Sequence, residues 1–548
     1  MTLHLNMRAF HRSLLRHRVT VMVSIVIWMI FFIVGITYYR MHRMAHVSPL
    51  IGDRQWQAHH HEEDGKPSLI DLQCNAPHLI EAKSEVLPQS LMSDHRLSLE
   101  SVVMVIRHGD RGPLRAVRNF HDIIFDPLEL DEEKKQHLLK EEGLADLFHL
   151  FKRTKKPKAS HKNSLSFDLV PSSKGMLGQL SVMGSLQHLK LGLEMGRVYG
   201  KHLNPESRLE PLTRSIRAVT TSFERTFQSA ASFLFGFMNH SKSSPEDVMR
   251  VIVDKIEGSH GNFLCNNREY CANCNKANSL KTAWESLRDQ EVAAHPALVE
   301  LLAKVANFLA PGKDEHDVLS GASRDAVRSF KGLEKPNQAI DGLNAFLCHG
   351  AELPCQGSAC VTTEDATRLI AFMNKLLHKT SSNEVFQLMN ILNVRGCFQR
   401  LIDQFNDISN GKEMKAFTLL SAHDITLVPI AATLGFWDAT VPPYASRIAF
   451  EVYKQQNSDE TVNHYFRIVY NGKDVTKNTG ICRETTECTV FEAVTPLEIN
   501  DMERSSKTHS SHPTTFILIP IKMLESFITK KFIQLANTDN FEEACFLQ

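Results

Sequence analysis

Residues 98–114 read SLESVVMVIRHGDRGPL. Positions 102–106 form a short, unbroken apolar run, the pattern of a strand buried on both faces. The next seven positions, 107–113, hold two arginines, a histidine, an aspartate, two glycines and a proline. Charged and turn-forming residues at the end of a core strand mark a place where a ligand completes what burial would otherwise leave unpaired.

A second stretch repeats the arrangement. In AFTLLSAHDITLVPIAATLGF, residues 416–436, an apolar strand over 416–420 runs into His423 and Asp424 and then into a helix. Between the two, SVMGSLQHLKLGLEMGRVYGKHL spaces Leu186, Leu189 and Leu193 three and four apart, one face of an amphipathic helix. A short β-like piece, RSIRAVTT, leads into a further helix, SFERTFQSAASFLFGFM. Strands alternating with helices predict an α/β core. Residues 240–410 are less regular, carry seven cysteines, and read as an inserted lobe.

In open α/β sheets ligands bind beyond the carboxyl ends of the strands, where both polar clusters fall. Arg107 and Arg111 offer planar forks of donors that suit a phosphate. Gly109 lets backbone approach closely, and a following helix would aim free N–H groups at the same anion. His108 is then a candidate nucleophile, since imidazole can take a phosphoryl group near neutral pH. Asp424 is a candidate proton donor to the leaving oxygen. Several arginines can neutralise the transferring group as Mg²⁺ does elsewhere, so neither a metal nor another cofactor is expected.

Composition sets the frame. The chain has 548 residues, 43% apolar and 23% charged, and its 62 basic residues balance 62 acidic ones. That balance gives no ground for a nucleic-acid partner. Residues 19–39, VTVMVSIVIWMIFFIVGITYY, carry no charge and match the ~20 residues that cross a bilayer core. Arg8, Arg12, Arg16 and Arg18 precede this run with no acidic residue, which places the N-terminus in the cytosol and the rest across the membrane. A cleaved signal peptide is the rival, but its apolar core should be shorter, ~7–15 residues. The expected organisation is a tail at 1–18, an anchor at 19–39, a polar stem at 40–97 and a catalytic domain at 98–548 with a cap around 240–410.

All eleven cysteines lie beyond the anchor, in an oxidising compartment on this topology. Cys271 and Cys274 form a C-x-x-C, but no second pair at finger spacing accompanies them, which favours disulfides over zinc. An odd count leaves at least one thiol free or paired with another chain. Asn239-His240-Ser241 is a candidate glycosylation sequon. The basic run 152–158 suits an anionic polysaccharide or a solvated loop. His59–His61 read as part of the solvated stem, and His121 and His188 as structural.

The motif R-H-G-x-R-x-P would arise by chance in roughly two per ten thousand chains of this length, taking each residue at ~5% usage. RHGDRGP, GQLSVMGSLQHLKLG, ERTFQSA, SAHDITLVPIAATLG and PPYASR follow one another in order. This series resembles the histidine acid phosphatases of the histidine phosphatase superfamily, branch 2. The resemblance implies an α/β fold, a sheet flanked by helices with an inserted helical cap, here preceded by one N-terminal transmembrane helix. It implies that His108 is phosphorylated, that Arg107, Arg111, Arg225 and His423 bind phosphate, and that Asp424 donates the proton.

Two departures stand out. VTTS replaces the R-S-T-D common in the family, leaving Val219 where an arginine is usual and Arg217 as a substitute. A long charged segment, 114–177, follows the first motif and is expected to reshape specificity at the mouth of the site.

Within the family, the cysteine-bearing LCHGAELPCQGSACV, the tail YFRIVYNGKDVT and the type II anchor resemble Golgi members acting on proteoglycans. That likeness implies a 2-O-phosphorylated xylose of the glycosaminoglycan linkage region as substrate, and association with glycosaminoglycan-synthesising enzymes. The alternatives are a general acid phosphatase, an inositol-polyphosphate phosphatase, or a non-catalytic glycan-binding relative.

Overall fold

The computed structural model describes residues 67–139, 143–154, 167–203, 215–239, 244–259, 263–264, 274–311, 332–412, 415–493 and 514–546. The tail, the apolar run 19–39, His59–His61, residues 155–158 of the basic run, Cys265 and Cys271 lie outside them. Among the described residues no single helix is long and apolar enough to cross a membrane.

The strands are β1 (Leu97–Arg107), β2 (Ile216–Thr220), β3 (Ile256–Gly258), β4 (Cys355–Gln356), β5 (Ala359–Cys360), β6 (Phe417–Ala422), β7 (Arg447–Gln456), β8 (Val462–Tyr470), β9 (Lys473–Asp474), β10 (Thr489–Ala493) and β11 (Thr514–Pro520). All but the β4–β5 hairpin join one mixed sheet, in the order β10-β11-β8-β7-β1-β6-β2-β3, with β9 paired to β8. β1, β6, β2 and β3 run parallel, whereas β7, β8, β11 and β10 pair antiparallel.

The unbroken apolar run of β1 has a direct cause. Val102, Met104 and Ile106 pack with helices Val182–Leu203, Glu224–Met238 and Pro245–Lys255 on one face. Val103 and Val105 pack with helices Glu384–Ser409, Asp424–Leu434 and Met523–Ala536 on the other. A strand covered on both sides needs apolar residues at every position. The fold is therefore α/β, a central sheet flanked by helices.

Helices Val182–Leu203 and Glu224–Met238 meet backbone to backbone. A Cβ at Gly192 would lie 2.1 Å from the Phe233 carbonyl oxygen, and one at Gly236 would lie 2.2 Å from that of Leu189. Only glycine allows that approach.

A separate apolar cluster gathers helices Pro296–Leu309, Pro336–Leu347 and Thr363–Thr380 with Trp284 of helix Asn275–Ala293. It is narrower than the lobe expected at 240–410, because Pro245–Lys255 and Glu384–Ser409 are sheet-covering helices. Val117, Phe120, Ile123 and Phe125, from the long segment after the first motif, pack into this cap cluster. Helix Leu144–Arg153 of the same segment instead lies on the sheet's helical layer through Phe148 and Phe151. Of that segment, Leu114 reaches the cavity described below.

The expected stem at 40–97 is corrected from Ser68 onward, because those residues are folded onto the domain. Ser68 caps helix Leu69–Cys74 in a capping box with Asp71, and Cys74 is disulfide-bonded to Cys348. The Val86 N–H donates to Glu451 Oε1 at 2.9 Å and the Leu87 N–H to the Tyr453 hydroxyl at 2.9 Å. Ile80, Leu87, Leu91 and Met92 are buried. The segment looks polar in sequence because its apolar residues are spaced irregularly, each meeting a different neighbour.

Disulfides also join Cys274 to Cys545, Cys355 to Cys360 and Cys482 to Cys488. Cys397 is a free, buried thiol among the described residues, its pKa pushed up to about 12 by burial.

Candidate active site

The site is assembled at the carboxyl ends of adjacent parallel strands. Arg107 of β1 stands beside Ala422 of β6, and the His108 N–H donates to the Ala422 carbonyl at 2.9 Å, carrying the pairing one residue beyond the strand. His423 then serves as N-cap of helix Asp424–Leu434. Arg225 enters from the first turn of helix Glu224–Met238, following β2. All six sequence-predicted residues, Arg107, His108, Arg111, Arg225, His423 and Asp424, line one cavity of ≈ 270 Å³.

His108 is 2% exposed. Its Nδ1 lies 2.7 Å from the Gly109 carbonyl oxygen, which can only accept, so Nδ1 carries the proton and Nε2 keeps its lone pair. Burial, followed by the charges of Arg225 and Arg107, holds the ring's pKa well below the ordinary imidazole value. A neutral imidazole with a free lone pair is the state a nucleophile requires.

Gly109 has a different role from the one expected of it. A Cβ there would lie 2.4 Å from the Gly184 carbonyl oxygen, so its missing side chain admits the first turn of helix Val182–Leu203. The chain after β1 continues as a loop, and the helices that start at the site are those following β2 and β6. Asp110 secures the loop. Its N–H donates to Gln187 Oε1 at 2.7 Å, its Oδ2 accepts from the Ser181 hydroxyl at 2.5 Å, and His349 Nε2 lies 2.8 Å from the same oxygen. Through His349 the catalytic loop is tied to the cap.

Around the imidazole the guanidinium groups are held individually. Arg107 donates to the Pro442 carbonyl, lies over the Tyr444 ring at 4.4 Å, and has Nη2 3.2 Å from Asp424 Oδ2. Arg111 Nη2 bonds Asp341 Oδ1 at 2.7 Å and Nη1 donates to the Gly112 carbonyl at 2.9 Å. Arg225 Nη1 donates to the Gly178 carbonyl at 3.3 Å and stacks over Phe223 at 4.4 Å. Burial, then the neighbouring Arg111, lowers the Arg225 pKa to about 10. Cations crowded this closely mark a site that gains energy when an anion enters.

His423 Nε2 is 3.0 Å from the Thr221 hydroxyl. Its pKa is lowered to about 3, first by burial and then by Arg225. Asp424 accepts the Ile425 N–H at 2.7 Å through Oδ1. Burial alone would raise its carboxyl, but Arg107, Arg111 and His423 outweigh burial and hold it below the usual carboxylate range. A bound phosphate dianion would offset those cations and push the carboxyl back up, toward the protonated state that a donor needs.

Arg217 does not substitute for the arginine missing at Val219. It points away along β2 and pairs with Glu257 on the neighbouring strand at 3.0 Å, while Thr221 meets His423. Asn239 is exposed at the C-terminal end of its helix, and Ser241 of the sequon is outside the described residues.

Sequence reasoning missed the cap's contribution. Asp341 and Asn344, on helix Pro336–Leu347, line the cavity. The available signal was slight: Asp341 and Asn344, three apart, are the only polar residues in the otherwise apolar AIDGLNAFL that ends PNQAIDGLNAFL. Among the described residues no group of histidine, cysteine and carboxylate side chains could hold a metal ion.

Residues 98–471 match the model of the histidine phosphatase superfamily (branch 2). The chain is 25% identical over 417 residues to the Homo sapiens protein named 2-phosphoxylose phosphatase 1, covering 75% of this chain and 78% of that one. It is 26% identical over 485 residues to the Xenopus tropicalis protein of the same name, covering 87% and 82%. Among solved structures, the phytase from D. castellii is 15% identical with a TM-score of 0.44, covering 87% of each chain.

Proposed function

The chain belongs to the histidine phosphatase superfamily (branch 2) and is a phosphoric monoester hydrolase; from that premise we propose that it removes the 2-O-phosphate of a xylose in the glycosaminoglycan–protein linkage region. The hydrolysis runs in two steps. His108 Nε2 attacks phosphorus, the P–O ester bond breaks, and Asp424 protonates the departing sugar oxygen. Water then attacks phosphorus, Asp424 takes its proton, the P–N bond breaks to return the electron pair to His108 Nε2, and inorganic phosphate leaves. Arg107, Arg111, Arg225 and His423 hold the three equatorial oxygens throughout.

The observation that carries this chemistry is the single orientation of His108, with Nδ1–H committed to the Gly109 carbonyl and Nε2 left for phosphorus beside the guanidinium groups. The relatives named as 2-phosphoxylose phosphatases support the substrate. The apolar run 19–39 and the disulfides support a type II anchor in the Golgi membrane with residues 40–548 lumenal, where Asn239 is open to glycosylation. That position would also bring the enzyme near those that build glycosaminoglycans.

The test is phosphate release by the full chain from phosphoxylosylated linkage oligosaccharide, inositol hexakisphosphate and a small aryl phosphate, with acid-quench trapping of the enzyme. The proposal expects the linkage oligosaccharide to be preferred, a phosphoryl adduct on His108, and no turnover by His108→Ala. Equal or better turnover of the other two substrates would leave a general acid or inositol-polyphosphate phosphatase. Binding of the glycan without phosphate release between pH 4.5 and 7.5 would leave a non-catalytic relative.

A further inference from the structure

Beyond the groups assigned to phosphate, the cavity wall is built by helix Pro336–Leu347 of the cap, and it carries two features that phosphate chemistry does not account for. One is a carboxylate. Asp341 Oδ1 bonds Arg111 at 2.7 Å and Oδ2 accepts the Leu114 N–H at 2.7 Å, with the side chain 12% exposed. The other is an amide oxygen without a partner. Asn344 is 5% exposed, lines the cavity, and its Oδ1 receives no hydrogen bond. A buried acceptor left open is costly unless a ligand supplies the donor.

The rest of the wall points the same way. Among the described residues, the lining outside Arg107, Arg111 and Arg225 contains no lysine or arginine, while Gln73, Asn337, Gln338 and Asn374 add further amides. Apolar contact comes from Ile340, Ile370 and Met373. Among these residues a second phosphate on the substrate would meet no further cation and would face the Asp341 carboxylate. A hydroxyl, by contrast, could donate to either acceptor.

We propose that Asp341 and Asn344 determine specificity by accepting hydrogen bonds from hydroxyls beside the scissile phosphate, so that the site takes a singly phosphorylated, uncharged polyhydroxyl body and rejects polyphosphorylated ones. The proposal rests on the phosphatase reading of this cavity and adds the residues that choose the substrate. Asp341 acts twice, because the oxygen that bonds Arg111 also reduces the net positive charge that would attract a second phosphate. Asn344 discriminates by satisfaction: a substrate without a hydroxyl there leaves its oxygen unpaired.

The test measures kcat/KM of the full chain for xylose 2-phosphate, p-nitrophenyl phosphate and inositol hexakisphosphate, with thermal unfolding to compare the variants. Asn344→Ala is expected to lower the value for xylose 2-phosphate about tenfold or more while p-nitrophenyl phosphate stays within about threefold. Asp341→Asn is expected to raise the ratio of hexakisphosphate to xylose 2-phosphate about tenfold or more. Parallel losses on all substrates with Asn344→Ala, or an unchanged ratio with Asp341→Asn, overturn the proposal. Wild-type turnover of the aryl ester keeps that failure apart from a failure of the phosphatase reading, which would show as no release from any of the three.

Discussion

At the residue scale the decisive group is the His108 ring. Its lowered pKa and that of His423 mean that falling pH does not protonate the nucleophile near the ordinary imidazole value. The sign for Asp424 is opposite in use: it must be protonated to donate, so rising pH removes the active form once phosphate has raised its carboxyl. Turnover at pH 4.5 should therefore equal or exceed turnover at pH 7.5. A pH–rate profile of the full chain checks this, and an acid limb centred near pH 6.5 would mean that His108 titrates as a free ring. Asp424→Asn should abolish the alkaline limb and lose ~10²–10⁴-fold with a sugar phosphate. With p-nitrophenyl phosphate, whose leaving group needs little help, the loss should be much smaller.

At the element scale the loop after β1 is held against helix Val182–Leu203 by contacts that tolerate no added atom. Gly109→Ala would place a methyl group 2.4 Å from a backbone oxygen, which a flexible side chain cannot relieve. The expected outcome is a stability loss of about 1–3 kcal/mol from overpacking. Turnover should fall ~100-fold or more, since a displacement of ~1 Å at the reacting atom is enough for that. Chemical denaturation and steady-state kinetics on one preparation measure both. Wild-type turnover in Gly109→Ala would show that the close approach does not position His108.

At the scale of the whole molecule, buried neutral histidines set a limit on acid stability. His188 is fully buried with its pKa lowered to about 3 by burial, and His423 is lowered to about 3 as well. Between these values and the unfolded value near 6.5, the unfolded chain binds protons that the folded chain does not. Stability must then rise with pH in that window, and fall on acidification, by up to ~1.4 kcal/mol per pH unit for each histidine. Denaturant titrations from pH 4 to 7 should show this slope, and His188→Gln should reduce it without moving the pH–rate profile. An unchanged slope would mean that His188 is not a linked group.

Topology is tested at the same scale. If residues 19–39 anchor the chain with the rest lumenal, protease added to sealed Golgi vesicles should spare residues 40–548 until detergent is added. Digestion of the catalytic domain in intact vesicles would reverse the orientation.

How much of this was legible beforehand depended on distance along the chain. The two strand-end clusters could be read because nucleophile, arginines and proton donor sit within a few residues of apolar runs that declare their strands. Arg225 could be read by a different route, the resemblance of ERTFQSA to the family's motif. The folding of residues 68–97 could not, since its supports are Cys348, Glu451 and Tyr453, hundreds of positions away. Nor could the pairing of Arg217 with Glu257, which depends on β3 lying beside β2.

What this sequence determined by itself was the reaction chemistry, because local order of charge, glycine and apolar run dictates a strand, its end and the anion it awaits. Only the tertiary structure decided which side chains surround that anion. Asp341 meets Arg111, and Asn344 joins the same cavity, across more than two hundred residues of chain, and such a meeting is set by the packing of the cap over the sheet. No local pattern encodes it.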